Sequence, residues 1–128
     1  MSGPARAGLF IYAKDLPRLA AFYESILGLV RVHATDDLVV LRSADIQLVL
    51  HAIPPAIAAS FTISQPPARR EDAALKFFFT IPSIARAKAE AASLGGEVLS
   101  DQWQGAGFVA CNAVDPEGNI LQLRESAS

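Results

Sequence analysis

The chain has 128 residues, 52% of them apolar, and a formal net charge of −2, with a sequence pI of about 5.6. That is enough apolar material for one packed core, and it excludes a disordered chain. The slight acidity gives no general attraction to phosphate backbones or anionic lipid, so neither nucleic acid nor membrane is an expected partner.

The opening "MSGPARAG" lacks the apolar centre of a signal peptide, and no stretch nears the roughly 18 apolar residues of a membrane span. The segment "GLFIYA" then reads as an apolar strand. Asp15 is placed to cap a helix with Pro17 in its first turn, and Gly28 to stop it. Between them Leu16, Leu19, Ala20, Tyr23, Ile26 and Leu27 recur at helical spacing, leaving Arg18 and Glu24 on the water side. Three extended stretches follow, "LVRVH", "LVVLRS" and "IQLVLHA".

Two Pro-Pro pairs bound the next segment, "IPPAIAASFTISQPPARREDAA", which reads as a crossover. Ile57, Phe61 and Ile63 predict that it packs partly, and "ARRED" reads as a solvated loop. A second strand and helix follow in "KFFFTIPSIARAKAEAASLGGE", with Ser83 as cap and Ile84, Ala87, Ala91 and Leu94 as the apolar stripe. The last extended stretches are "EVLS", "GFVACNAV" and "NILQLRE". Trp103 is expected on the loop "DQWQGAG". Cys111 reads as a buried, inert thiol, which suits a reducing, cytoplasmic setting. The sequence "DPEGN" fits a reverse turn in which Gly118 supplies the permissive backbone, rather than a phosphate loop.

The order strand, helix, strand, strand, strand is thus written twice. Phe10 maps onto Phe78, Leu16 onto Ile84 and Gly28 onto Gly96, each 68 positions on. In the last strands Leu48 and Leu50 map onto Leu121 and Leu123, so Val49 matches Gln122 and His51 matches Arg124. The offset there is 73, which places five extra residues in the second copy, in the "DQWQGAG" connection. One domain over residues 1–128 is expected, with module one at about 7–53, the crossover at 54–74 and module two at about 75–125.

With their "DLPRLAAFYESILGL" and terminal "DPEGN", these two βαβββ modules resemble the vicinal oxygen chelate superfamily, which contains glyoxalase I, bleomycin resistance proteins and extradiol dioxygenases. The resemblance spans about residues 7 to 125. It implies an α+β fold with a cup-shaped mixed sheet, a site inside the cup and a homodimer. Metal-using members take one ligand from the first and last strand of each module, and those positions here are Gly8, Val49, Lys76 and Gln122. Glycine and valine offer no donor and a protonated lysine repels a cation, so neither a metal nor any other cofactor is expected at the inherited site.

If the cup face keeps that parity, its floor is Phe10, Tyr12, Gln47, Val49, His51, Lys76, Phe78, Thr80, Ile120, Gln122 and Arg124. From these, Phe10, Tyr12, Gln47, His51, Lys76, Phe78, Gln122 and Arg124, with Trp103 as a lid or interface residue, are the candidate ligand-binding residues. Aromatic surface beside potentially cationic groups suits a small organic molecule bearing a carboxylate, phosphate or phenolate. Each candidate also has a plain structural role open to it: Lys76 at a sheet edge, Arg124 beside Glu125, and the aromatics as core. No catalytic residue is identified. Three functions remain open at this point: a metal-independent binding protein; an enzyme working without the usual metal or with one placed elsewhere, using Lys76, His51 or Tyr12 for proton transfer with Arg124 at an oxyanion; and an interaction subunit with a filled cup.

Overall fold

The computed structural model describes residues 4–127. Module one runs β1 (Gly8–Ala13), α1 (Leu16–Leu27), β2 (Val30–Ala34), β3 (Leu38–Arg42) and β4 (Gln47–Ala52). A short helix, α2 (Pro55–Ala58), opens the crossover. Module two runs β5 (Phe78–Thr80), α3 (Ile84–Ala91) with a 3₁₀ turn at Ala92–Leu94, β6 (Glu97–Gly105), β7 (Phe108–Val114) and β8 (Ile120–Ser126).

Each module folds into a four-stranded mixed sheet, ordered β1-β4-β3-β2 in one and β5-β8-β7-β6 in the other. The cup is therefore built of two ladders that end at β1 and β5, and in each the module's first strand pairs parallel with its last. The repeat is carried in the registers. Phe10 lies opposite Val49 and Tyr12 opposite His51, while Phe78 lies opposite Gln122 and Thr80 opposite Arg124. So Phe10 and Phe78 are equivalent, as are Val49 and Gln122.

Period-two alternation decides which face is dry. Leu48 and Leu50, and Leu121 and Leu123, are fully buried beneath the helices, whereas Gln47, Val49, His51, Ile120, Gln122 and Arg124 on the opposite face are only partly so. α1 packs on β3 and β4, α3 packs on β6 and β8, and the two helices touch each other. Their stripes are as the spacing predicts, with Phe22 also fully buried on α1. One core cluster joins residues of both modules. Each fully buried leucine in it contributes about 2 kcal/mol.

The helix ends differ between the copies. Gly28 caps α1 in the left-handed conformation, at φ 65°, but its counterpart is Gly95, at φ 87°, and not Gly96. The 3₁₀ turn winds the chain more tightly and ends it one residue early. Gly96 is glycine for another reason: a Cβ there would collide with the Phe22 ring and lie 2.5 Å from the Val114 carbonyl. The five extra residues lengthen a hairpin rather than a loop. β6 continues through Trp103, which pairs with Ala110, to a turn at Ala106 and Gly107, and a register shift between Val98 and Gln102 absorbs the mismatch. Trp103 is thus a strand residue, contrary to the loop expected.

Among the described residues no helix is long and apolar enough to cross a membrane. The "ARRED" run is exposed, yet it is not simply solvated. Arg70 donates its amide to the Gly118 carbonyl at 2.9 Å and its Nε to the Glu117 carbonyl at 3.2 Å. The crossover presses so closely on the turn that a Cβ on Gly118, already at φ 93°, would collide with the Ala68 carbonyl.

Candidate functional site

The "DPEGN" turn does more than reverse the chain. Asp115 is fully buried and accepts four hydrogen bonds: from the Tyr23 hydroxyl at 2.7 Å, the amides of Glu117 and Asn119 at 2.8 and 3.0 Å, and Asn119 Nδ2 at 2.7 Å. Glu117, 5% exposed, accepts the amides of Lys14 and Asp15 on Oε1 and Oε2 at 2.9 and 2.8 Å. A turn of module two therefore holds the start of α1 in module one, where a negative charge also suits the helix dipole. A small cavity of about 140 Å³ lies beside it, lined by Lys14, Arg18, Gln65 and Glu117 among others. The acid's engaged oxygens make this a structural corner.

Burial, and after it the neighbouring Asp115 carboxyl, holds the Tyr23 phenol well above its ordinary value. Burial likewise raises Asp115, against the hydrogen bonds that favour its ionised form. Above about pH 10 the unfolded chain loses the tyrosine proton that the folded chain keeps, so folding stability should fall by about 1.4 kcal/mol per pH unit from this group. The stability advantage of the native protein over Tyr23→Phe is accordingly expected to shrink between about pH 9 and about pH 11. Urea unfolding of both proteins across that range checks it, and a constant difference would remove Tyr23 from the account.

The larger cavity, about 670 Å³, lies between the modules. Strand β1 lines it with Leu9, Phe10, Ile11 and Tyr12, the crossover with Arg70, Glu71 and Ala73, the segment leading into β5 with Leu75, Lys76 and Phe77, and the rest of module two with Asn112, Asn119 and Ile120. Phe10 and Tyr12 are 59% and 61% exposed and stand 6.4 Å apart between ring centroids. Arg70 and Lys76 are exposed, and neither is in an ion pair among the described residues.

Of the expected ligand-binding residues, Phe10, Tyr12 and Lys76 share this cavity. His51 stands beside it against Tyr12, 5.9 Å between rings, with Nδ1 2.9 Å from the Ala52 carbonyl. Gln47 lies at the start of β4 opposite Gly8. The others form a second group along the helix-free face of module two. The Arg124 guanidinium lies over the Phe78 ring at 3.6 Å and the Phe108 ring at 4.2 Å, and its Nε donates to Gln122 Oε1 at 2.6 Å. Trp103 continues that row across Ala110. Arg124 does not pair with Glu125, which instead accepts the Ile84 amide at 2.7 Å and caps α3.

Nine lining residues had no place on the expected floor, among them Asn112, Asn119, Arg70 and Phe77. Asn112 carried a usable signal. Applying the alternation to "GFVACNAV" puts Phe108, Ala110, Asn112 and Val114 on the cup side, and an amide in that row stands out. Arg70 had none, because its docking depends on a turn distant in sequence.

The inherited metal positions fail on their donor set. Gly8 and Val49 supply no side-chain donor, and the Gln122 oxygen already accepts from Arg124. Among the described residues no cluster of three or more His, Cys, Asp or Glu is placed to hold a metal ion. The residues present do not fit a divalent cation there.

A protein-family scan matches residues 8–124 to the glyoxalase-like domain. No curated protein matches the chain. Similar solved structures include a glyoxalase/bleomycin resistance protein/dioxygenase family enzyme from Burkholderia phytofirmans PsJN, at 13% identity and TM-score 0.69, covering 96% of this chain and 99% of that one. A lactoylglutathione lyase from Agrobacterium tumefaciens is 23% identical, with TM-score 0.60 over 98% and 96% of the two chains. A bleomycin resistance determinant encoded on a transposon is 21% identical, with TM-score 0.61 over 98% and 100%. At these identities the likeness establishes the fold.

Proposed function

Given that the chain belongs to the glyoxalase-like domain family, we propose that it binds a small organic anion with an aromatic or otherwise flat apolar body, in the cavity between its modules and without a metal. The observation that carries this reading is the composition of that cavity: the Phe10, Tyr12 and Phe77 rings beside Arg70 and Lys76, two cations without a carboxylate partner among the described residues. Glu71 leaves the lining with a net positive charge. Rings supply apolar contact area, and unpaired cations supply the counter-charge for a carboxylate or phenolate.

Benzoate and its neutral counterpart benzyl alcohol test the reading by calorimetry or NMR titration. Benzoate is expected to bind about tenfold more tightly than the alcohol, and Lys76→Met to weaken benzoate by about fivefold to tenfold while leaving the alcohol unchanged. Equal affinity for the two probes, or binding of neither, would overturn the proposal.

The same faces favour self-association. Phe10, Tyr12, Phe78 and Trp103 are 59%, 61%, 54% and 41% exposed, and β1 and β5 end their sheets with open edges. A homodimer burying more than about 1,000 Å² in total is expected, which light scattering at micromolar concentration would register as twice the 13.6 kDa chain mass. A monomer under those conditions rules it out. The buried Cys111 suits a cytoplasmic setting for such a protein.

A further inference from the structure

We propose that Asn112 is the specificity-determining residue of the cavity between the modules, and that it selects ligands carrying a hydrogen-bond donor, a hydroxyl or an N–H, at the end remote from their anionic group. This rests on the small-anion reading of the same cavity. Asn112 lies on β7 opposite Gln122, on the helix-free face, while its chain neighbours Cys111 and Ala113 are fully buried toward the helices. Ala110 and Val114 occupy the same row on either side, so an apolar residue would fill the position without a polar cost.

The amide makes no hydrogen bond to any described residue, and its Oδ1 is closed off from solvent without a partner. Native folds rarely tolerate this, because a buried acceptor has given up water for nothing in return. The neighbouring amides are already engaged. Asn119, also in the lining, donates Nδ2 to Asp115, and Gln122 accepts from Arg124. Asn112 is left as the polar group of the floor with an unanswered acceptor. The sp³–sp² last torsion of asparagine is broad, so a partial turn brings the oxygen out of its closed position toward a ligand without moving the backbone or carrying the amide nitrogen into that position.

Position then sets the ligand's polarity. Arg70 and Lys76 are exposed and precede β5 in the chain, whereas Asn112 is on β7, an inner strand of its sheet, with its Oδ1 closed off. A molecule whose anionic end is held by Arg70 and Lys76 then presents its far end to Asn112. A hydroxyl or N–H there satisfies the oxygen. A methyl group of similar size leaves it unpaired, and a site built to bond a polar group discriminates against such an isostere more strongly than an apolar pocket discriminates by shape.

The test pairs para-hydroxybenzoate with para-methylbenzoate, and the longer hydroxynaphthoate with the matching methylnaphthoate, by calorimetric titration of the intact protein. The native protein is expected to prefer the hydroxyl member of at least one pair by about tenfold. Asn112→Leu should erase that preference without weakening the methyl member, and Asn112→Ala serves the same purpose should leucine overfill the floor. Asn112→Asp keeps an acceptor, so it should weaken both members by charge repulsion yet retain the preference. Equal binding of both members by the native protein, or a preference that survives Asn112→Leu and Asn112→Ala, overturns the role given to Asn112 and leaves the anion reading standing. Binding of no probe refutes the anion reading and this inference with it.

Discussion

Replacing Asp115 with alanine is expected to destabilise the protein by about 4 kcal/mol. Its carboxyl is fully buried and takes donors from three places: the α1 hydroxyl of Tyr23, two amides of its own turn, and the Asn119 side chain. Alanine leaves all of them without an acceptor, and each buried donor so stranded costs about 1–3 kcal/mol. Asn119 is only half-buried and recovers some water, which holds the total below the simple sum. Asp115→Asn should cost about 1–2 kcal/mol: one oxygen still accepts the two turn amides, the Tyr23 hydroxyl can turn to accept from the new amide, and the burden of a buried charge is gone. Urea denaturation of the three proteins decides this. A loss below about 1 kcal/mol for the alanine variant would show that water reaches the site.

The fold was legible because it rests on local periodicities. Leu48, Leu50, Leu121 and Leu123 alternate with polar or smaller partners, and that alternation gave both sheets their dry face. The α1 stripe from Leu16 to Leu27 and the caps Asp15 and Ser83 gave the helices, and both caps accept the amide three residues on, from Arg18 and Arg86. The misplaced features answer to contacts that no local window contains. Gly95 ends the second helix because a 3₁₀ turn closes it one residue early, and Gly96 is glycine because the Phe22 ring packs on it. Trp103 is drawn into β6 by its pairing with β7 and by a register shift that the sequence does not announce.

The candidate site was legible by face but not by grouping. Parity placed Phe10, Tyr12, Lys76, Gln122 and Arg124 on the helix-free faces. It could not say that the first three share a cavity while Arg124 lies over the Phe78 and Phe108 rings. That division depends on how the two sheets sit against each other, which is set by the crossover and by the Glu117 contact rather than by either repeat. It also changes the chemistry: an arginine stacked over two rings and bonded to Gln122 is a fixed element of the second sheet, whereas Lys76 is exposed in the cavity lining and the Arg70 guanidinium is engaged only through Nε among the described residues.

Glu117→Ala is expected to cost about 3 kcal/mol and to loosen the joint between the modules. The two amides that Glu117 accepts, Lys14 and Asp15, lie 103 and 102 residues away in the chain, at the strand-to-helix corner of module one. Glu117 is itself 5% exposed, so little water is at hand to replace it, and hydrogen bonds to a charged acceptor contribute about 1.5–3 kcal/mol each. Glutamine keeps one acceptor oxygen but turns an NH₂ toward the other amide donor, so Glu117→Gln should fall between the native protein and alanine. Because Glu117 and Asp115 share one turn, their losses should not add. Hydrogen exchange separates a local from a global effect: the amides of Lys14 and Asp15 should lose more protection than the core amides of β4 and β8, since the clamp acts where the modules meet and not within either sheet. Unchanged exchange at those two amides would mean that another acceptor replaces the carboxylate, and that Glu117 is not what holds this corner of the joint.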